Sequence, residues 1–361
     1  MTEILNSKEP MERKKLLIVG PLPNDKYNCQ WGGATILMKN FYDYIREKEV
    51  RHRFVQTNKY VNPKTLHLRP KGNLLHFLLH FAAALPWCDT VMFNFSDHGT
   101  VHYFPLLSNF AHRLGKKVVL RKFGGSFDIY LKEVEQAKKQ RVVNALKDTD
   151  LIFFETKASI AHLKTLIGDT DKVHWFPNTR NSPSQLNSPK QFKGRMVFMS
   201  HISDVKGVGV LLEAFSRLPD NYTLDFYGAI KEQRYENFNW QSHRVAYKGE
   251  ISSDDVLKKL NDYDLLLLPT SYREGYPGII IEALSLGIPV ISTQVGGIPE
   301  IITSGHEGLL TEPADTDGLV KAILSINADN YHSFCENALC TFRENFESER
   351  TNKHILSILT S

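Results

Sequence analysis

The 361 residues hold only four cysteines, Cys29, Cys88, Cys335 and Cys340, with no CxxC pair among them. That excludes a disulfide-framed scaffold and a cysteine-based zinc site. The fourteen histidines form no HExxH and no Cys/His cluster, so the familiar zinc-hydrolase signature is missing too. Long apolar runs are equally scarce. The greasiest stretch, Leu74–Trp87, is interrupted by His76 and His80 and is too short to span a bilayer. Met1–Arg13 is polar and lacks the apolar centre of a secretory signal. There is no tandem repeat and no low-complexity tract. The first strand–helix turn reads Gly20-Pro21-Leu22-Pro23, without the GxGxxG that a dinucleotide-dependent oxidoreductase needs there. These absences favour a cytoplasmic protein, at most peripheral at the inner face of the cytoplasmic membrane.

What is present describes a two-domain globular protein. The length exceeds the usual single domain, and 42% hydrophobic with 23% charged residues is ordinary for a packed soluble fold. The net charge of +4 is unevenly spread. Residues 1–188 carry 28 Lys/Arg against 17 Asp/Glu, or +11, and the remainder 16 against 23, or −7. A basic first half suits an acidic surface, with anionic lipid the partner favoured over nucleic acid. Leu74–Trp87 reads as a core helix, with membrane docking as the other reading.

Short apolar runs alternate with amphipathic segments, the rhythm of parallel sheets covered by helices. Strands are expected at Lys15–Val19, Thr90–Phe95, Lys117–Arg121, Leu151–Phe154 and Val173–Phe176. A Ser/Pro/Asn-rich linker at Asn181–Lys193 follows. The rhythm restarts with strands at Arg195–Ser200, Tyr222–Tyr227, Val245–Lys248, Leu265–Leu268 and Pro289–Ser292, and the tail from Tyr331 to Leu359 reads as helix. The expected domains are 1–185 and 186–340, with a closing helix over 341–361 that returns to the first. Doubly wound sheets bind ligands beyond the carboxyl ends of their strands.

One segment carries most of the chemistry. After the buried-looking strand Leu265–Leu268 comes Arg273-Glu274-Gly275-Tyr276-Pro277-Gly278-Ile279, and Glu282 follows about a turn into the next helix. Pro277 suits a helix's first turn, and Gly275 and Gly278 let a ligand approach the backbone. The amides near Gly278 and Ile279 favour a phosphate, and the two carboxylates can accept from sugar and ribose hydroxyls. A second segment, after Arg195–Ser200, runs His201 to Lys206-Gly207 before a helix. A lysine there can neutralise a diphosphate leaving group. Gln30-Trp31-Gly32-Gly33 opens the first helix, and Gly124-Gly125-Ser126-Phe127-Asp128 follows Lys117–Arg121. Paired glycines at a helix start suit an anion.

The letters E-G-Y-P, an apolar run, then E-A, with the spacing Glu274-x7-Glu282, resemble the signature of the retaining family 4 glycosyltransferases, a "glycosyl transferases group 1" type. The resemblance implies an α/β, GT-B fold: two doubly wound Rossmann-like domains facing a central cleft. It implies transfer of a sugar, with retention and without metal or cofactor, from a nucleotide-sugar substrate (UDP-sugar favoured) to a glycan or lipid-linked acceptor in surface polysaccharide biosynthesis. Carried over by residue, Glu274 contacts the transferred sugar and Glu282 the nucleotide ribose. Lys206-Gly207 matches the phosphate loop, and Gly249, in Tyr247-Lys248-Gly249, the segment near the base. Catalysis is assigned to Glu274 and Lys206. Donor binding is assigned to His201, Gly207, Gly249, Arg273, Gly275, Tyr276, Pro277, Gly278, Ile279 and Glu282, and the phosphate and acceptor side to Gly32, Gly33, Gly125 and Ser126. Two departures stand out. His201 stands where relatives carry an arginine, so either the imidazole binds phosphate or another cation such as Arg273 compensates. Gly124 and Gly125 stand where many relatives have His-Gly. A nucleotide-sugar-binding protein without catalysis remains an alternative, and an oxidoreductase a weaker one.

Overall fold

The computed structural model describes residues 14–23, 33–58, 71–184, 191–240 and 244–361. Two compact units emerge, one from Met1–Pro177 with Ser348–Ser361 and one from Asn178–Glu347. The division falls at 177/178 instead of 185/186, because the segment just after Pro177 pairs with elements of the second unit. Arg180 N donates to Phe346 O at 3.0 Å, and Asn178 Nδ2 to Tyr276 O at 2.8 Å. Part of the expected linker, 185–190, lies outside the described residues.

The first unit is a six-stranded parallel sheet. Its strands are β1 (Leu16–Gly20), β2 (His52–Gln56), β3 (Thr90–Phe95), β4 (Lys117–Lys122), β5 (Leu151–Phe154) and β6 (Val173–Trp175). Their order is β2-β1-β3-β4-β5-β6. Its helices are α1 (Gly33–Glu47), α2 (Lys71–Ala84), α3 (Asp97–His102), α4 (Phe104–Arg113), α5 (Phe127–Lys132), α6 (Gln136–Asp148) and α7 (Lys157–Ile167). Helices on both faces require strands that are apolar on both sides. β1 meets this by alternation: Leu17 and Val19 enter one core with Phe93, Leu120 and Phe154. Leu16 and Ile18 enter the other with Phe41, Phe153 and Phe176. β2 was not expected from sequence; it is an edge strand, His-Arg-Phe-Val-Gln, with only Val55 buried.

The second unit repeats the plan. Its strands are β7 (Arg195–Met199), β8 (Thr223–Tyr227), β9 (Val245–Tyr247), β10 (Leu265–Leu268), β11 (Val290–Thr293) and β12 (Gly308–Thr311). All are parallel, in the order β12-β11-β10-β7-β8-β9. Its helices are α8 (Val208–Arg217), α9 (Gln233–Glu236), α10 (Val256–Leu260), α11 (Gly278–Ser285), α12 (Thr316–Ser325) and α13 (Ala328–Asn345). Strand order reverses between β7 and β10, the point where such sheets receive ligands.

The tail is two helices instead of one. α13 stops at Phe346, and α14 (Ser348–Thr360) belongs to the first unit. There Ile355, Leu356 and Leu359 join the core beside α1. Among the described residues no helix is long and apolar enough to cross a membrane. Phe81, Ala84 and Leu85 of the greasy stretch are buried, but Leu74, Leu75, Leu78 and Leu79 are exposed, Leu79 by 62%. The segment is therefore only half a core helix.

Candidate functional site

Three loops meet at the carboxyl end of the second sheet. The loop after β7 carries His201, Ser203, Val205 and Lys206, and the loop after β10 carries Tyr272 and Glu274. They are joined by Ser271 N donating to Val205 O at 2.9 Å and by Thr270 Oγ1 donating to the same carbonyl at 3.1 Å. The loop after β8 joins them through Lys231 N on Ile202 O at 3.0 Å and Asp204 N on Glu232 at 2.8 Å. Between them lies a cavity of about 510 Å³ lined by His201, Ser203, Val205, Lys206, Lys231, Glu232 and Tyr272.

Lys206 and Glu274, 68 residues apart in sequence, form an ion pair here. Both side chains are largely buried, 13% and 22% exposed, and the Lys206 ammonium lies 4.5 Å from the Tyr272 ring centroid. The backbone explains the reach of Lys206. Gly207 caps α8 with φ of +89°, and a Cβ there would stand 2.2 Å from Pro269 O. Only glycine allows the β7 loop to lie this close to the β10 loop. The Glu274 loop is held from the far side by Gly297 N, which donates to Glu274 O at 3.0 Å. The Gly296-Gly297 pair thus braces the loop.

The remaining expected residues separate by exposure. His201 stands at the pocket edge, its pKa lowered by desolvation first, then by Lys231 and Lys206. It therefore favours the neutral imidazole, and its ring is a donor without fixed charge. Besides Lys206, the cation that shares the pocket with it is Lys231, which sequence reading missed; Arg273 is exposed and does not line the pocket. Tyr276 is buried, its hydroxyl donating to Glu300 at 2.6 Å and its ring edge-on to Phe346. Its side chain thus braces the loop, which leaves its backbone as the part open to a donor contact. Pro277 is the N-cap of α11, one place before the expected helical position; Gly278 and Ile279 are its first two residues. Glu282, in the second turn, is bonded by Arg180, whose Nε donates to Oε1 at 2.6 Å. Gly249 O accepts from Gly228 N at 3.0 Å, fixing the turn after β9 beside the β8 loop. Gly275 lies under Gly297.

The first unit holds the other candidates. Gly32 lies outside the described residues, and Gly33 begins α1. Past β4, Gly124 N donates to Glu155 at 2.7 Å while Gly124 O accepts from Lys122 Nζ at 2.8 Å. Gly125 is the next residue of that turn. Ser126 donates to Asp97 at 2.9 Å, and Asp97 pairs with Lys122 at 2.5 Å. The Ser126 hydroxyl is thus committed to a buried ion pair, a structural use that its acceptor-side assignment did not foresee. The Asp-x-Asp spacing at 262–264 is also structural. Asp264 is fully buried and accepts from the amides of Lys193 and Arg195, both at 2.9 Å.

Residues 193–329 match the model of the glycosyl transferases group 1 family. Over 109 residues the chain is 36% identical to N-acetyl-alpha-D-glucosaminyl L-malate synthase of Bacillus anthracis, covering 30% of this chain and 28% of that one. Over 127 residues it is 34% identical to the putative teichuronic acid biosynthesis glycosyltransferase TuaC of Bacillus subtilis, covering 35% and 31%. The chain thus spans about a third of the length of these curated relatives. Anabaena Alr3699/HepE, solved in complex with UDP, superposes with a TM-score of 0.75 at 17% identity, covering 96% of this chain and 99% of that one. At that identity the likeness is one of fold, the GT-B type. Residues 193–329 are thus similar to the glycosyl transferases group 1 family, and the described units share the fold of solved glycosyltransferases.

Proposed function

We propose that this protein transfers a sugar from a nucleotide-sugar donor to a glycan or lipid-linked acceptor in surface polysaccharide synthesis. The observation that carries this reading is the Lys206–Glu274 pair beside a 510 Å³ pocket at the strand-order reversal. A cation is set against the carboxylate expected to meet the sugar, where departure of a nucleoside diphosphate needs charge. Lys206 and Lys231 would face the phosphates with His201 as a neutral donor. Glu274 would accept from sugar hydroxyls as Lys206 turns to the leaving group. Proton transfer to the leaving phosphate would let the acceptor attack from the same face, giving retention with no metal and no cofactor. UDP-sugars are favoured because Alr3699/HepE was also solved with UDP-glucose. Relatives named for colanic acid and amylovoran synthesis point to polysaccharide acceptors.

A panel of UDP- and GDP-sugars tests the reading. Donor hydrolysis or transfer by the full chain, lost in Glu274→Ala, supports it. Tight binding without turnover would indicate a binding protein instead, and binding of a nicotinamide dinucleotide alone would sink both.

The basic first half and the exposed leucines of α2 further suggest an inner-membrane surface as the place of work. Anionic vesicles are expected to retain the protein at low salt and release it at high salt. Leu75→Glu with Leu79→Glu should weaken retention at least severalfold, each charge opposing insertion. Retention of wild type by neutral and anionic vesicles alike, or none at low salt, would count against this.

A further inference from the structure

Gly278 is the first residue of α11, and the space where its side chain would stand is filled by Arg180. A Cβ built at 278 lies 1.9 Å from Arg180 Nη2 and 3.0 Å from Cζ. No larger residue coexists with the guanidinium in this place. The guanidinium is itself fixed: Nε donates to Glu282 Oε1 at 2.6 Å, and Nη1 to Asn178 Oδ1 and to Thr179 O. Asn178 in turn donates to Tyr276 O, in the loop that carries Glu274. The Arg180 and Glu282 side chains are only 11% and 19% exposed. This is a built arrangement, in which a residue 98 positions before Gly278 is packed against the first turn of the helix. Among the described residues Arg180 alone takes a hydrogen bond to the Glu282 carboxylate, and it takes one oxygen.

We propose that Arg180 is a positioning residue of the donor site: by holding Glu282 Oε1 it presents Oε2 to the ribose hydroxyls of a nucleotide, and glycine at 278 is the space it requires. The inference rests on the donor-binding reading above. A bidentate-capable guanidinium fixes the plane of a carboxylate better than solvent does. A carboxylate fixed in this way spends less conformational freedom on meeting a diol. The guanidinium also places a permanent positive charge beside the amides of Gly278 and Ile279, in a site where His201 provides none.

The test is a binding cycle on the full chain, with UDP, 2′-deoxy-UDP and 3′-deoxy-UDP titrated calorimetrically into wild type, Arg180→Ala, Arg180→Lys, Gly278→Ala and the Arg180→Ala/Gly278→Ala double variant. Wild type should prefer UDP over a deoxy analogue by about tenfold or more, one charge-assisted hydrogen bond's worth. Arg180→Ala should reduce that preference to about two- to threefold, and lysine should restore part of it. Gly278→Ala should resemble Arg180→Ala, and the double variant should be no worse than Arg180→Ala alone, in both UDP affinity and Tm. Equal losses for UDP and the deoxy analogues, with preference intact, would make Arg180 merely structural and overturn the proposal. So would Arg180→Ala and Gly278→Ala effects on Tm that simply add. If wild type binds no nucleoside diphosphate, the donor reading falls and this proposal with it; loss of the cycle in a protein that binds UDP removes this proposal alone.

Discussion

Lys206→Ala is expected to lower kcat for sugar transfer by about 10²–10³-fold, the loss typical of removing one preorganised charge stabiliser. Two effects act together. On the proposed reading the leaving diphosphate would lose the ammonium set to meet it, and Glu274, 22% exposed, loses its ion-pair partner. An unpaired carboxylate in that position is free to turn toward solvent, away from where a sugar is proposed to lie. KM for the donor should change far less than kcat if the charge acts mainly as the bond breaks. The check is steady-state transfer or donor hydrolysis alongside a thermal melt, since the ion pair joins two loops. Wild-type turnover in Lys206→Ala with an unchanged melt would remove the lysine from the chemistry.

The largest stability effect is expected in the first unit. Lys122 is fully buried, its ammonium 2.5 Å from Asp97, and burial pushes its pKa down against the upward pull of Asp97. Asp97→Ala strands that charge, and unpairing a buried charge costs about 3–5 kcal/mol. Adding Lys122→Met should recover much of the loss, because replacing both members of such a pair by apolar atoms is often near neutral. The pH dependence has a definite sign. A lysine whose folded pKa lies below the usual 10.5 leaves the unfolded chain holding more protons between the two values, so stability rises with pH there. Asp97→Ala deepens the depression and widens that window downward. Its deficit against wild type should therefore narrow as pH climbs toward 10.5, read by denaturant titration at several pH values. A deficit that is flat or grows with pH would sink this account.

Local pattern made much of this molecule readable. Leu265–Leu268 is a short, wholly apolar run, which a sheet covered on both faces requires, and the motif beyond it is contiguous, so its glutamates declared themselves by spacing. The misses share a cause. β2 and β12 are edge strands, where one neighbour suffices and the apolar signature is weak. The break between α13 and α14 was hidden because Phe346, an apolar residue that fits a helical stripe, instead meets Tyr276 and Arg180 from elsewhere in the chain. The site shows the same limit. Lys231 and Arg180 belong to it through folding alone, and neither sits in a recognisable string. The sequence reads Gly278 as room for a ligand; the group that fills that room lies 98 residues upstream, a guanidinium that no spacing rule connects to it.

The return of α14 to the first unit has a bearing on how the protein is made. The second unit is one unbroken stretch, whereas the first has its last core residues, Ile355, Leu356 and Leu359, at the end of the described chain. A ribosome therefore delivers every residue of the second unit before it delivers the last of the first. The usual expectation, that the N-terminal domain matures first as the chain emerges, is reversed here: the sheet begun earliest waits longest for its core to close.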